Sequence, residues 1–136
     1  MLQRMISSRV ILFSLLLWSL TGCQTLGEKH QADVLLETLR KYEAALRWGS
    51  MQQAQSFASA DIAKFSPTRR NDIRIIHYEV VQGPAQVSEV KALQTVLIQY
   101  VHESSQSVRE LLDQQVWQYD AETQTWALQS PLPDFK

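Results

Sequence analysis

Apolar and polar positions follow two different periods along this chain, and the change from one to the other divides it. Leu35, Leu39, Tyr42 and Leu46 recur at spacings of four, three and four, which puts them on one stripe of an α-helix; Val34 and Ala45 widen the stripe. Glu37 precedes Lys41 by four residues and Glu43 precedes Arg47 by four, the favourable order for ion pairs on the solvent face. Gly49 stops this helix, as a glycine just past the periodic region does. Ser50 with Gln53 has the form of a capping box and predicts a second helix from Met51 to about Ser59, burying Ala54, Phe57 and Ala58. Asp61 to Phe65 reads as one further turn before Pro67, and Pro67 to Asp72 as loop.

From there the period is two. Ile73 to Gln82 is rich in β-branched and aromatic residues and ends at Gly83-Pro84, a turn signal. A long run from Val87 to Glu103 follows, in which Val96, Ile98 and Tyr100 alternate with Leu97, Gln99 and Val101. Both of its faces are largely apolar, so it is expected as a central strand covered on each side. Ser104 to Ser107 form a polar turn, and Val108 to Tyr119 form a third strand with Leu111, Asp113, Gln115, Trp117 and Tyr119 on one face. Asp120 to Gln124 make a hairpin loop, Thr125 to Gln129 return as a fourth strand carrying Trp126, and Pro131 and Pro133 end the sheet. Helices first and an antiparallel meander second predict an α+β fold, with a bent N-terminal helix pair on one face of a curved four-stranded sheet.

The N-terminal pattern is of another kind. Arg4 and Arg9 precede an apolar run from Val10 to Leu20, which is followed by Leu20-Thr21-Gly22-Cys23. A positive region, a short apolar region and small residues before a cleavage point are the three zones of a secretory signal. The run is too short to span a bilayer, which takes about 20 apolar residues. Cys23 is the only cysteine, so it has no disulfide partner within the chain. The tetrapeptide resembles the lipobox of bacterial lipoproteins. That resemblance implies cleavage before Cys23, a diacylglyceryl thioether on its sulfur and a fatty acyl group such as palmitate on its new amine. Several acyl chains anchor a protein stably where one does not, since each buried methylene contributes only about 0.8 kcal/mol. Gln24 follows Cys23 where an Asp would signal inner-membrane retention, so the resemblance implies the periplasmic leaflet of the outer membrane of a Gram-negative bacterium.

Read this way, residues 1–22 are a signal peptide, 23–31 the lipidated cysteine and a polar tether, and 32–136 one domain. Of 13 basic residues, Arg4 and Arg9 leave with the signal, and the remaining 11 face 14 acidic residues for a net charge of −3. A chain with that balance has no basic footprint for nucleic acid. Arg69 and Arg70, with Arg74 nearby, are the one local basic group; they read as a solvated loop edge, or as a contact for a small anion or lipid headgroup.

The domain pattern resembles the nuclear-transport-factor-2-like superfamily, which includes ketosteroid isomerase and polyketide cyclases, and in particular its small bacterial lipoproteins. The residues that carry the resemblance are Lys41-Tyr42-Glu43-Ala44-Ala45-Leu46-Arg47-Trp48-Gly49-Ser50 at the bent first helix, Asp113-Gln114-Gln115-Val116-Trp117-Gln118-Tyr119-Asp120 with Thr125-Trp126 at the terminal hairpin, and Ser130-Pro131-Leu132-Pro133 at the close. A cystatin-like helix over a sheet has a similar order of elements. The resemblance implies a pocket between helices and sheet, and a homodimer formed through the sheet.

In ketosteroid isomerase an Asp is the base, and a Tyr with a protonated Asp forms the oxyanion hole. The corresponding candidates here are Tyr42 and Asp113, with Trp117 as a pocket wall and His77 as a further titratable group. A second acid that would complete the isomerase set is missing from the pattern. His30, His77 and His102 lack metal-ligand spacing, and there is neither a glycine-rich phosphate loop nor a Gly-x-Ser-x-Gly elbow. No metal or cofactor is implied. The expected function is a non-enzymatic binding or scaffolding module of the cell envelope, meeting the membrane through its lipid and taking a protein partner or a small hydrophobic ligand. The alternative is a pocket enzyme of the isomerase or cyclase type using Asp113 and Tyr42.

Overall fold

The computed structural model describes residues 23–65 and 72–136. Two compact units divide the chain, residues 1–33 and 34–136. In the first, residues 23–33 are helical, and from Leu26 to His30 their side chains are exposed. The residues expected as a tether are thus the opening turns of a helix, α1, which runs Cys23–Trp48. Arg4, Arg9, the apolar run, Thr21, Gly22 and the Arg69-Arg70 pair lie outside the described residues.

Within the second unit the sequence pattern is realised closely. The stripe of Leu35, Leu39, Tyr42, Ala45 and Leu46 is buried. On the other side of α1, Lys41 pairs with Glu37 at 2.7 Å and Arg47 with Glu43 at 3.0 Å. The Gly49 N–H donates to the carbonyls of Ala44 and Ala45, closing the helix. Ser50 then caps α2, Met51–Gln55, through the reciprocal bonds of a capping box: Gln53 N–H to Ser50 Oγ at 3.2 Å and Ser50 N–H to Gln53 Oε1 at 2.9 Å. The second helix is shorter than its pattern suggested. After it the backbone turns so that Leu128 N–H donates to Phe57 O and Ser59 N–H donates to Leu128 O, a small parallel bridge tying the segment to the sheet. Those long-range bonds replace the intrahelical ones. The turn expected over Asp61–Phe65 is α3, Ala60–Ala63.

The four strands are β1, Ile73–Ser88, β2, Lys91–His102, β3, Val108–Asp120, and β4, Thr125–Leu128. They form one open antiparallel sheet in the order β1-β2-β3-β4. The fold is therefore α+β with a four-stranded antiparallel sheet.

The structure corrects two expectations. Gly83-Pro84 is not the turn between the first strands; β1 continues through it to Ser88. The pairing shifts between Gln82↔Thr95 and Ala85↔Leu93, leaving Gly83 and Pro84 in a bulge. Pro84 has no N–H to give a ladder, and Gly83 has a φ of +86°, which a side chain resists. Both residues suit a bulge on an edge strand as well as they suit a turn. Second, β2 is central but unevenly covered on its second face, where Leu93 is exposed, Thr95, Leu97 and Gln99 are half-buried and Val101 is buried. Ala92, Val96, Ile98 and Tyr100 join the core that also holds the buried residues of α1 and α2, and Gln94 is buried on the same face.

Candidate functional site

Tyr42, Trp117 and Asp113 do meet, on the inner face of the sheet. Tyr42 comes down from α1 and sets its ring edge against Trp117, with centroids 5.3 Å apart and planes at 82°; Phe57 meets its other side at 5.9 Å. Asp113 and Trp117 lie on the same face of β3 because each is an even number of residues from the other. Tyr42 and Trp117 are fully buried and Asp113 nearly so.

What joins them is Gln115, at the centre of the cluster. Its Nε2 donates to Asp113 Oδ2 at 2.7 Å and to Tyr78 Oη at 3.1 Å. Its Oε1 accepts from Gln94 Nε2 and from Trp117 Nε1, both at 3.2 Å. An amide has two donors and two acceptor lone pairs, so Gln115 is completely used. A fully bonded amide is what makes a buried Gln tolerable, since an unmet polar group costs roughly 1–3 kcal/mol.

Asp113 is held less well. Burial pushes its carboxyl up to about 6, against which the Gln115 hydrogen bond works. Tyr42 carries a buried hydroxyl with no hydrogen-bond partner among the described residues. Its phenol is pushed far above the usual range, first by burial, then by the charge of Asp113 and by Tyr78. Tyr78 is raised chiefly by burial, and the bond from Gln115 opposes this. The cluster thus sets a carboxyl of raised proton affinity beside two phenols raised above their usual range, all largely by burial, the chemistry from which an acid or base can be made.

Space is the other half of a site. A small cavity is lined by Leu46, Met51, Ile73, Ile75 and Phe135, with about 10 Å³ free, on the order of one water. An open groove of about 510 Å³ lies over the helix break, lined by residues including Lys41, Trp48, Gly49, Gln53 and Phe57. Neither is lined by Tyr42, Asp113 or Trp117.

His77 does not belong with the cluster. It pairs with Gln99 on the outer face of the sheet and stands 3.3 Å from Glu79 Oε2. Arg74 is exposed on that same face. Among the described residues no group of His, Cys, Asp and Glu is disposed to hold a metal.

Tyr78 is one of several strand aromatics, with Tyr100, Trp117, Tyr119 and Trp126, that the sequence offers either as pocket lining or as core, while Gln94 and Gln115 were missed as members. A signal existed for the glutamines: each sits at an inward position of a strand whose other inward positions are mostly apolar, and they are cross-strand partners. No local pattern signals that Tyr100, His102 and Arg109 meet at the far end of the sheet.

The outer face of the sheet carries apolar cross-strand pairs separated by the polar pairs Thr95–Gln114 and Gln99–Glu110. The apolar pairs are Leu93–Val116, Leu97–Leu112 and Val101–Val108. Leu112 is 63% exposed and Val108 58%. Comparison with known proteins finds no matching family model, no similar curated protein and no similar solved structure.

Proposed function

We propose that this protein is an outer-membrane lipoprotein of a Gram-negative bacterium, anchored in the periplasmic leaflet through acylated Cys23, whose nuclear-transport-factor-2-like domain is a non-enzymatic binding module. The order of elements, helices and then an antiparallel meander, supports that fold family. The motif Leu20-Thr21-Gly22-Cys23 supports the anchor. Among the described residues no helix is long and apolar enough to cross a membrane.

The observation that carries the binding role is the apolar outer face of β2 and β3. Exposed large apolar side chains gathered on one face of a folded domain, here Leu93, Leu112 and Val108, are the kind of feature that marks an interaction surface. Its occupant in this reading is an envelope protein, and a second copy of the chain is the competing one. The test is photo-crosslinking from position 112 in intact cells. A specific adduct with another envelope protein supports the reading, an adduct of twice the chain's own mass reassigns the face to a homodimer, and no adduct from a folded, membrane-located protein refutes both. For the anchor, Cys23→Ser should end labelling by a palmitate analogue and leave the uncleaved precursor; undiminished labelling refutes it.

The second reading is the pocket enzyme, which the raised carboxyl of Asp113 favours. Turnover of a β,γ-unsaturated ketone that Asp113→Asn abolishes would establish it.

A further inference from the structure

Strand β1 is paired with β2 alone, and among the described residues no strand pairs with its other edge. From Ile76 to Ser88 every residue is exposed except the half-buried Tyr78. The strand keeps β-branched side chains there all the same: Ile76, Val80, Val81 and Val87 stand in solvent. A long edge presents a row of main-chain N–H and C=O groups, and the natural complement of such a row is another extended strand. The usual guards of an edge are thin here. β1 has no lysine, and the register shifts beside Ile76 and Val81 leave His77 to Val80 in unbroken pairing with β2.

The side chains along that edge read alike in both directions. Ile76-His77-Tyr78-Glu79-Val80 runs apolar, titratable, aromatic, titratable, apolar, with a base and an acid at the two titratable positions. Residues paired across a sheet share a face, so two identical antiparallel strands related by a two-fold axis must be centred on a residue. Centring on His77 opposes two imidazoles, centring on Glu79 opposes two carboxylates, and centring on Val80 sets Glu79 against Val81. Centring on Tyr78 sets His77 against Glu79 of the second copy, twice, and Ile76 against Val80, twice. Opposite charges across such a pair stabilise it and like charges destabilise it. His77 and Glu79 already stand 3.3 Å apart on the outer face, opposite Gln99 and Leu97. In the pair centred on Tyr78, imidazole and carboxylate therefore alternate around a ring of four.

We propose that this chain forms a two-fold homodimer by antiparallel pairing of β1 with β1 of a second copy, centred on Tyr78, so that the four strands of each copy join in one continuous sheet. Pro84, which has no N–H to give, bounds the paired stretch on its C-terminal side. The axis stands perpendicular to the sheet, so the helices of both copies lie on one side of it and both outer faces on the other. Leu93, Leu97 and Leu112 belong to β2 and β3 and take no part in the pairing. The outer-face binding role and this dimer thus stand or fall separately.

The test is sedimentation velocity of the full chain, with detergent micelles in excess, over roughly 1 to 100 μM, a range that brackets a micromolar Kd. The parent chain is expected to pass from monomer to dimer. His77→Glu and Glu79→Lys each put like charges opposite one another and should weaken the dimer about tenfold. Their side chains are 49% and 58% exposed, so neither change disturbs the core. Mixed one to one, the two variants should recover dimer of parental strength, because every opposed pair in the mixed dimer is again of opposite sign. Leu112→Lys should leave the dimer unchanged. A parent chain that stays monomeric, single variants that dimerise as well as the parent, or a mixture that fails to recover overturns the proposal. Loss of the dimer in Leu112→Lys also overturns it and moves the contact to the outer face. Should either charge variant fail to fold, hydrogen exchange of the parent chain decides. Amide protection from Ile76 to Val80 that rises with chain concentration supports the pairing, and protection that does not change overturns it.

Discussion

Gln115 Nε2 lies 2.7 Å from Asp113 Oδ2, and the two side chains reach each other from positions two apart on one face of β3. This is the only hydrogen bond that the Asp113 carboxylate receives within the buried amide cluster, and it does not offset the cost of burial. The carboxyl, raised from 3.8 to about 6, binds its proton more tightly in the folded chain than in the unfolded one. Its contribution to stability is therefore full below about pH 4 and is lost as pH rises through about 6. Asp113→Asn should relieve that loss. Urea unfolding is expected to show the variant more stable than the parent at pH 8, by on the order of 3 kcal/mol, with the advantage gone at pH 4. A variant destabilised at pH 8 would mean that the carboxylate has a partner worth more than its desolvation.

Tyr42 has a buried hydroxyl without a partner among the described residues, while its ring makes edge contacts with Phe57 and Trp117. Tyr42→Phe keeps the ring and deletes the unmet group. The expected result is a gain of about 1 kcal/mol, the lower end of the cost of an unsatisfied buried polar atom. Thermal unfolding measures it. A loss of similar size would place a hydrogen-bonding ligand or water at the phenol.

Among the described residues Trp117 is the largest fully buried side chain, packed on Tyr42 and bonded through its indole N–H to Gln115. Trp117→Ala should cost about 3–5 kcal/mol in urea unfolding. That is a large part of the 5–15 kcal/mol a typical domain has. A change under about 0.5 kcal/mol would be the behaviour of a surface residue and would contradict the inward register of β3.

Leu112 lies two residues from Asp113's neighbour Gln114 on the opposite face from the core and is largely exposed. Leu112→Lys should leave stability within about 0.5 kcal/mol while removing crosslinks formed by the outer face. Loss of stability in the isolated protein would show that the face is covered from within the chain.

Much of this architecture was legible from local pattern. The Leu35–Leu46 stripe, the Glu37–Lys41 and Glu43–Arg47 pairs, the Ser50–Gln53 box and the turns at residues 104–107 and 121–124 all depend on neighbours within a few residues, and all are present. Where reading failed, a distant partner had changed the local outcome. Helix α2 ends early because Leu128, about seventy residues on, takes the backbone bonds of Phe57 and Ser59. Gly83 and Pro84 signal a break in regular backbone, but a signal of that kind is the same for a turn and a bulge. The choice falls to the pairing of β1 with β2.

By itself, then, the sequence determined the α+β class, the strand order of a simple meander and the inward position of Tyr42, Asp113 and Trp117, because periodicity and turn chemistry are short-range. Only the tertiary structure decided what those residues face. It put Gln94 opposite Gln115, Tyr78 within reach of both and His77 on the other side of the sheet, since side-chain partners are set by register between strands far apart in sequence. It also brought Lys136 back onto Tyr100, His102 and Arg109, a meeting across some thirty residues that no local pattern encodes.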